Sequence, residues 1–387
     1  MNTDCVVLIS EFLPLSQILL NQHVCKSWKV AAQIHLKSLR HFHLDGETYK
    51  QYILYRQHVN GTGLAPPPIF SERLIADWLA EFLSHRLTEL SFQTPEEPKL
   101  RVEDFSHMDS FGSFPFLERL DLSGFRIRSD KADSAVNSLL HIADRLVELR
   151  FWRWSQWKNA GGLKNLFEKL EKVQILDCRY NGADDNIFFL PNPQRLVELC
   201  MVYQTEEPWP RIRRFFDFCS KLQKLFIHPL NAEATRQILE SGFSLSSVRD
   251  LELQLDYNVV EQLDLVHFVS CLHELERFSL AARRISLRPI FFHNLIVNCQ
   301  RLATLELAVN KIADGGLVYL PVLERLTSVK IVEEAFSAGA VTAEVLNLFA
   351  ELNTRKNLRV LAIAPASNAV PNALGLLGLT HLSLSLK

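Results

Sequence analysis

The sequence predicts an α/β solenoid, a curved parallel sheet with outer helices, preceded by a small all-helical module. Three observations carry this prediction. A short apolar motif recurs along most of the chain, helical patterns separate its copies, and the first residues lack the motif altogether. The chain has 387 residues, which is long for one compact core but suits a small module followed by a repeat array.

The recurring motif is L-x-x-L-x-L, which is repeated about twelve times between Leu87 and Leu384 at a mean spacing of about 27 residues. That spacing lies within the range of leucine-rich repeats, in which each unit is a strand followed by a helix. We therefore expect a leucine-rich-repeat solenoid of about twelve repeats over residues 71–387. Residues 46–70 would form a linker and first edge, and residues 1–45 the first module.

Helical periodicity marks most segments between the motifs. The exception is Asp184–Pro193, where two prolines favour an irregular connection. The expected helices are Glu72–Leu83, Asp133–Ala143, Leu163–Leu170, Arg211–Cys219, Ala232–Ser241, Leu263–Leu272, Pro289–Asn298 and Thr342–Leu352.

The first module reads as short helices around Cys5–Phe12 and Ser16–His23, with Ser16 as a helix cap. We expect Val24, Cys25 and Trp28 to share the face of a further helical turn. Such short helices bury little apolar surface by themselves. The apolar residues left outside suggest that a partner covers them.

The line L-I-S-E-F-L-P-L-S-Q-I-L-L-N-Q-H-V-C-K-S-W resembles an F-box, over about the first 40 residues. The family's opening Leu-Pro pair falls at Met1-Asn2, which implies a weakened first adaptor contact or a sequence that starts late. Resemblance to the F-box/leucine-rich-repeat family implies a substrate receptor of a cullin–RING (SCF-type) ubiquitin ligase. The F-box would dock onto the ligase adaptor of the cullin complex while the repeats hold the target protein. The implied adaptor-binding residues are Leu8, Ile9, Leu13, Leu19, Leu20, Val24, Cys25 and Trp28.

An alternative is a non-ligase leucine-rich-repeat scaffold whose first helices only cap the solenoid. On that hypothesis Val24 and Trp28 would pack entirely against the first repeats. On either hypothesis the chain binds proteins and is not an enzyme, because phosphate-loop, dinucleotide, serine-hydrolase and zinc-protease motifs are absent. We expect no cofactor and no metal, since His41 and His43 have no further ligand at metal-binding spacing.

The composition limits the kinds of partner and the cellular compartment that we expect for this protein. The formal net charge is −2 with both signs spread along the chain, which argues against nucleic-acid binding. The seven cysteines form no C-x-x-C pair, so we expect free, mostly buried thiols in a reducing compartment. With no signal peptide and no apolar run of membrane length, we expect an intracellular, cytoplasmic or nuclear protein without membrane contact.

The candidate target surface follows from strand alternation, because the residues between the motif leucines point to the concave sheet face. Three of the six tryptophans lie in one repeat, at positions 152, 154 and 157, which favours a binding patch there. The alternative is that exposed tryptophan and arginine only shield the sheet. The predicted target-binding residues are Arg119, Arg150, Trp152, Arg179, Lys224 and Phe226.

Overall fold

A computed structural model describes residues 3–10, 13, 17–18, 21, 24–44, 86–92, 114–123, 132–151, 162–179, 184–203, 209–255, 262–313, 315–333, 359–364 and 381–384. The chain divides into two compact units, Met1–Asn192 and Pro193–Lys387. The expected helices at 72–83 and 342–352 lie outside the described residues.

In the described part of the first unit, helices α1 (Thr3–Ser10) and α2 (Lys26–Ser38) pack against each other. Five parallel strands follow in chain order, each bonded to the next. They are β1 (His41–Leu44), β2 (Glu89–Phe92), β3 (Arg119–Asp121), β4 (Glu148–Arg150) and β5 (Ile175–Cys178). Helix α3 (Ala132–Leu140) precedes β4, helix α4 (Leu163–Lys169) precedes β5, and short 3-10 helices span Ala143–Arg145 and Asp184–Phe189.

The second unit repeats this plan with eight parallel strands in chain order. The strands are β6 (Glu198–Tyr203), β7 (Lys224–Pro229), β8 (Asp250–Gln254), β9 (Arg277–Leu287), β10 (Thr304–Ile312), β11 (Ser328–Glu333), β12 (Val360–Ala364) and β13 (His381–Leu384). The helices between them are α5 (Trp209–Phe218), α6 (Ala232–Glu240), α7 (Gln262–Ser270) and α8 (Pro289–Asn298). Three 3-10 helices add Pro193–Arg195, Gly242–Leu245 and Leu317–Val322.

The motif leucines form the core between strands and helices. Leu90, Leu120 and Leu149 are fully buried and occupy matching positions on β2, β3 and β4. Burial of each such side chain stabilises the fold by about 1.5–3 kcal/mol. Phenylalanines fill the space beneath the helices, and Phe151 of the β4 end lies 6.4 Å from Phe167 of α4 between ring centroids. Every L-x-x-L-x-L motif coincides with a strand, β2 to β13, which confirms the predicted repeat fold.

Two predicted boundaries differ from the structure. Strand β1 pairs with β2 in parallel, so the sheet begins at His41, inside the range assigned to the first module. Its register is set by the Thr88 and Glu89 N–H groups, which both donate to the Arg40 carbonyl. Helix α2 begins at Lys26 with an extended Cys25 as its N-cap. Val24 and Cys25 therefore precede the helix and do not share a helical face with Trp28.

The irregular connection expected at Asp184–Pro193 is present as a 3-10 helix over Asp184–Phe189 instead of an α-helix. A 3-10 turn advances the chain with fewer residues than an α-helical turn, and it ends before Pro191 and Pro193, which cannot donate to a continuing helix.

Candidate interaction surfaces

Alternate residues on the strands of the first unit form an outward column of charged side chains. The strand register places His41 beside Glu89, Glu89 beside Arg119, and Arg119 beside Glu148. Glu89 lies between two basic side chains: its Oε2 is 3.1 Å from His41 Nδ1 and 3.7 Å from Arg119 Nη1. Opposite charges on adjacent strands stabilise the sheet by about 0.2–1 kcal/mol per pair.

A second column lies two residues further along each strand. It runs from His43 through Ser91, Asp121 and Arg150 to Asp177. The Arg150 guanidinium turns toward its own strand and the next, with Nε 2.6 Å from Glu148 Oε1 and Nη1 3.8 Å from Asp177 Oδ2. Asp121 accepts a hydrogen bond from the Ser123 N–H at 2.8 Å and one from Ser91 Oγ at 3.4 Å.

Arg179, just after β5, is held by the carboxylate of Asp177. Its Nη2 and Nε lie 2.7 Å from Asp177 Oδ2 and 3.0 Å from Asp177 Oδ1. The Asp177 side chain is only 1% exposed, so this two-point bond compensates a buried charge.

The two columns of the first unit enclose a cavity of about 300 Å³. That volume is at the lower end of the range for ligand pockets. Its described lining residues are His43, Glu89, Leu90, Ser91, Arg119, Leu120, Asp121, Glu148 and Arg150.

The second unit carries its own alternating column, Glu198, Lys224, Asp250 and Arg277. Lys224 Nζ lies 3.2 Å from Glu198 Oε1, and Arg277 lies 3.8 Å from Asp250 Oδ2 and 3.4 Å from Glu306 Oε1. Burial raises the pKa of Asp250 from its ordinary value, although Arg277 and Lys224 oppose that rise.

The predicted target-binding residues meet different environments. Arg119, Arg150, Arg179 and Lys224 all lie on the expected sheet face, but each is in an ion pair with a neighbouring carboxylate. Phe226 is only 4% exposed, so the expected display of its ring on the surface is wrong. Trp152, with the other two tryptophans of its repeat, lies outside the described residues.

The pattern within a single strand does not reveal the charge columns, because each column joins residues of neighbouring repeats. In each repeat, the residue before the second motif position can be compared with its counterpart in the next repeat. This position is occupied in turn by Glu89, Arg119 and Glu148 in the first unit, and by Glu198, Lys224, Asp250 and Arg277 in the second. Alternating signs at one repeat position are the signal that could have revealed them.

The helical module buries one face and exposes apolar side chains elsewhere. Val6, Ile18, Ala31, Ala32 and Leu36 are its buried core. Leu8, Ile9 and Val24 are exposed, at 59%, 39% and 66%. Among the predicted adaptor-binding residues, Cys25 is also exposed, Leu13 and Trp28 are half-buried, and Leu19 and Leu20 lie outside the described residues.

The seven cysteines are free, and five of them are buried. This confirms the expectation of free, mostly buried thiols, and the buried ones are Cys178, Cys200, Cys219, Cys271 and Cys299. Burial raises the pKa of Cys219 and of Cys299 to about 12. At the start of α2, a hydrogen bond from the Trp28 N–H lowers the pKa of the exposed Cys25 thiol.

Within the described residues, no group of three or more His, Cys, Asp or Glu side chains could hold a metal ion. No described helix is both long enough and apolar enough to cross a membrane.

Parallel strands in chain order, each carrying the same leucine motif, decide the fold. The chain has a leucine-rich-repeat fold.

No family model and no curated protein matches its sequence. Solved structures share the architecture at low similarity. An internalin from Listeria monocytogenes has a TM-score of 0.43 and 12% identity, over 87% of this chain and 89% of that one.

Two further structures are comparable. The Rad7 and Elc1 complex from yeast has a TM-score of 0.45 and 16% identity over 76% of each chain. The leucine-rich-repeat ectodomain of an Arabidopsis thaliana receptor kinase has a TM-score of 0.34 and 11% identity, over 78% of this chain and 41% of that one. Similarities of this size say nothing about function, and the repeat fold is established here by strand order and register.

Proposed function

We propose that this protein is the substrate-recognition subunit of a cullin–RING (SCF-type) ubiquitin ligase. The first helices dock onto the ligase adaptor, and the repeats bind the target protein. The chain contributes no catalysis; it raises the effective concentration of target lysines near the ubiquitin-charged enzyme.

The observation that carries this proposal is the exposure of Leu8, Ile9 and Val24. These apolar side chains occupy positions of the motif that resembles an F-box. Leu8 and Ile9 lie on helix α1, and Val24 lies just before α2. Exposed apolar groups of this kind cost solvation free energy unless a partner covers them. The alternative scaffold function expects Val24 to pack against the first repeats, and its exposure of 66% favours the ligase proposal instead.

The repeats support the target-binding half of the proposal through their charged columns, which present a polar, ordered surface on each unit. Because the basic side chains are already paired, the target must recognise the surface by its pattern of charges and not by one positive patch. Repeat arrays use such extended sheet faces to bind partners.

The test is capture of the purified ligase adaptor by the full chain. Val24→Asp and Leu8→Asp should each weaken capture by about tenfold or more, since each places a charge in an apolar contact. Val322→Asp is the matched control, because Val322 is 59% exposed on the 3-10 helix Leu317–Val322 of the second unit.

Leu13→Ala and Trp28→Ala should also reduce capture, and thermal unfolding of these two variants separates lost docking from lost packing, as both residues are half-buried. A folded wild-type chain that captures no adaptor would contradict the ligase proposal and leave the scaffold function. Equal capture by Val24→Asp and Val322→Asp would show that the docking surface lies elsewhere.

A further inference from the structure

The cavity of the first unit has an imbalance of charge among its described lining residues. Three carboxylates, from Glu89, Asp121 and Glu148, face two guanidinium groups, from Arg119 and Arg150, and the imidazole of His43. Both arginines already have acidic partners: Arg119 pairs with Glu89, and Arg150 pairs with Glu148 and reaches Asp177.

Asp121 differs from its neighbours. Its carboxylate accepts only from the Ser123 N–H and Ser91 Oγ, and within the described part of the chain it forms no ion pair. Arg150 stands directly across from it in the strand register, yet its guanidinium is directed to Glu148 and Asp177. The cavity therefore offers a carboxylate that is held by two neutral donors and has no cationic partner among the described residues.

We propose that this cavity receives a lysine or arginine side chain of the bound target, with Asp121 as the carboxylate that recognises its charge. The inference rests on the proposed function of the repeats as the target-binding part. It assigns the target a basic contact residue. The arginines predicted as target-binding residues would instead suggest an acidic target residue.

An acidic target residue fits the cavity less well. Its carboxylate would have to displace Glu148 from a 2.6 Å contact with Arg150 Nε or Glu89 from Arg119, and would still face Asp121. A cationic side chain breaks no existing pair and gains a charge-assisted hydrogen bond. A volume of about 300 Å³ admits the end of one long side chain together with water.

The probe is a displayed library of random twelve-residue peptides, selected on the immobilised full-length protein. Selected peptides should share a lysine or arginine. Their affinity should fall at least about tenfold in Asp121→Asn and when that basic residue is replaced by methionine. The new amide oxygen can still accept from the Ser123 N–H, so the fold should be retained, and thermal unfolding checks this.

Asp144→Asn is the matched control, because Asp144 is an exposed aspartate of the same unit outside the cavity lining and should leave affinity unchanged. Arg119→Gln is the opposing variant: it should preserve or tighten binding of a basic peptide, since it removes one of the two basic groups beside Glu89.

Three results would overturn the inference: selected peptides without a required basic residue, equal affinity of wild type and Asp121→Asn, or no peptide enriched on wild type over Asp121→Asn. Adaptor capture measured on the same preparations reports separately on the ligase proposal. A chain that binds basic peptides but no adaptor keeps this inference and loses the ligase function.

Discussion

Asp177 and Arg179 lie two residues apart and form a two-point ion pair, with the carboxylate almost completely buried and the guanidinium at the edge of the sheet face. Arg150 approaches the same carboxylate from the neighbouring strand. An arginine that the sequence offered as a target contact is therefore part of what stabilises the repeat.

Replacing Arg179 by methionine should lower the free energy of unfolding by about 3 kcal/mol, because the buried Asp177 carboxylate loses its two-point partner. Among the described contacts it keeps the longer one to Arg150 and the hydrogen bond from the N–H of residue 179. Arg236→Met is the matched control. Arg236 also binds carboxylates, Glu233 and Glu240 of helix α6, but it is 54% exposed, so its loss should cost less than about 1 kcal/mol. Urea unfolding followed by circular dichroism measures both, and equal losses would contradict the role given to burial.

The stability contribution of Asp250 should depend on pH. Burial raises the pKa of Asp250 in the folded state, so the protonated carboxyl group favours folding. This contribution to stability is complete below the pKa of the unfolded state and is lost as the pH rises through the pKa of the folded state. Asp250→Asn does not titrate at this position. The free energy of unfolding of the variant should therefore rise relative to that of wild type as the pH increases through the range in which aspartate titrates. At higher pH the difference between the two proteins should stay constant.

Urea midpoints of wild type and Asp250→Asn, measured side by side over that range, test this expectation. A difference between the two proteins that is constant with pH, or that changes in the opposite direction, would refute it.

The thiols should react in two groups. At pH 7 iodoacetamide should modify Cys25 and Cys5, which are exposed, while Cys219 and Cys299 stay protected in the folded protein. Because the pKa of Cys25 is lowered, its alkylation should set in at a lower pH than that of an ordinary exposed cysteine. Peptide mass spectrometry of native and urea-unfolded samples measures the labelling. Native-state labelling of Cys219 or Cys299 at the unfolded rate would contradict the packing.

A side chain at position 316 should destabilise the protein because Phe292 occupies the space beside Gly316. A Cβ at Gly316 would lie 2.7 Å from two ring carbons of Phe292, although the backbone there is helical and suits alanine. We expect Gly316→Ala to lower the free energy of unfolding by about 1–3 kcal/mol through overpacking.

The same substitution in a Phe292→Leu background should cost much less, because the smaller side chain frees the space. Urea unfolding of the four proteins of this cycle measures the coupling. Additive effects would mean that the Phe292 ring moves aside without cost.

The sequence by itself determined the repeat architecture of this protein. Leucines spaced for one buried face of a strand, followed by helical periodicity, allow few folds, and each motif copy from Leu87 onward became a strand of the expected kind. Helix limits were close too, with Pro289–Asn298 found as predicted and others shifted at their ends, where capping decides.

The tertiary structure decided which side chains are available to a partner. The pairing of Glu89 with Arg119 and of Lys224 with Glu198 joins residues of different repeats, so it depends on the register between strands and not on spacing within one motif. The burial of Phe226 and the exposure of Val24 likewise depend on what packs over them. A local pattern specifies the face a residue occupies, whereas contacts across the fold determine whether its charge or apolar surface remains for binding.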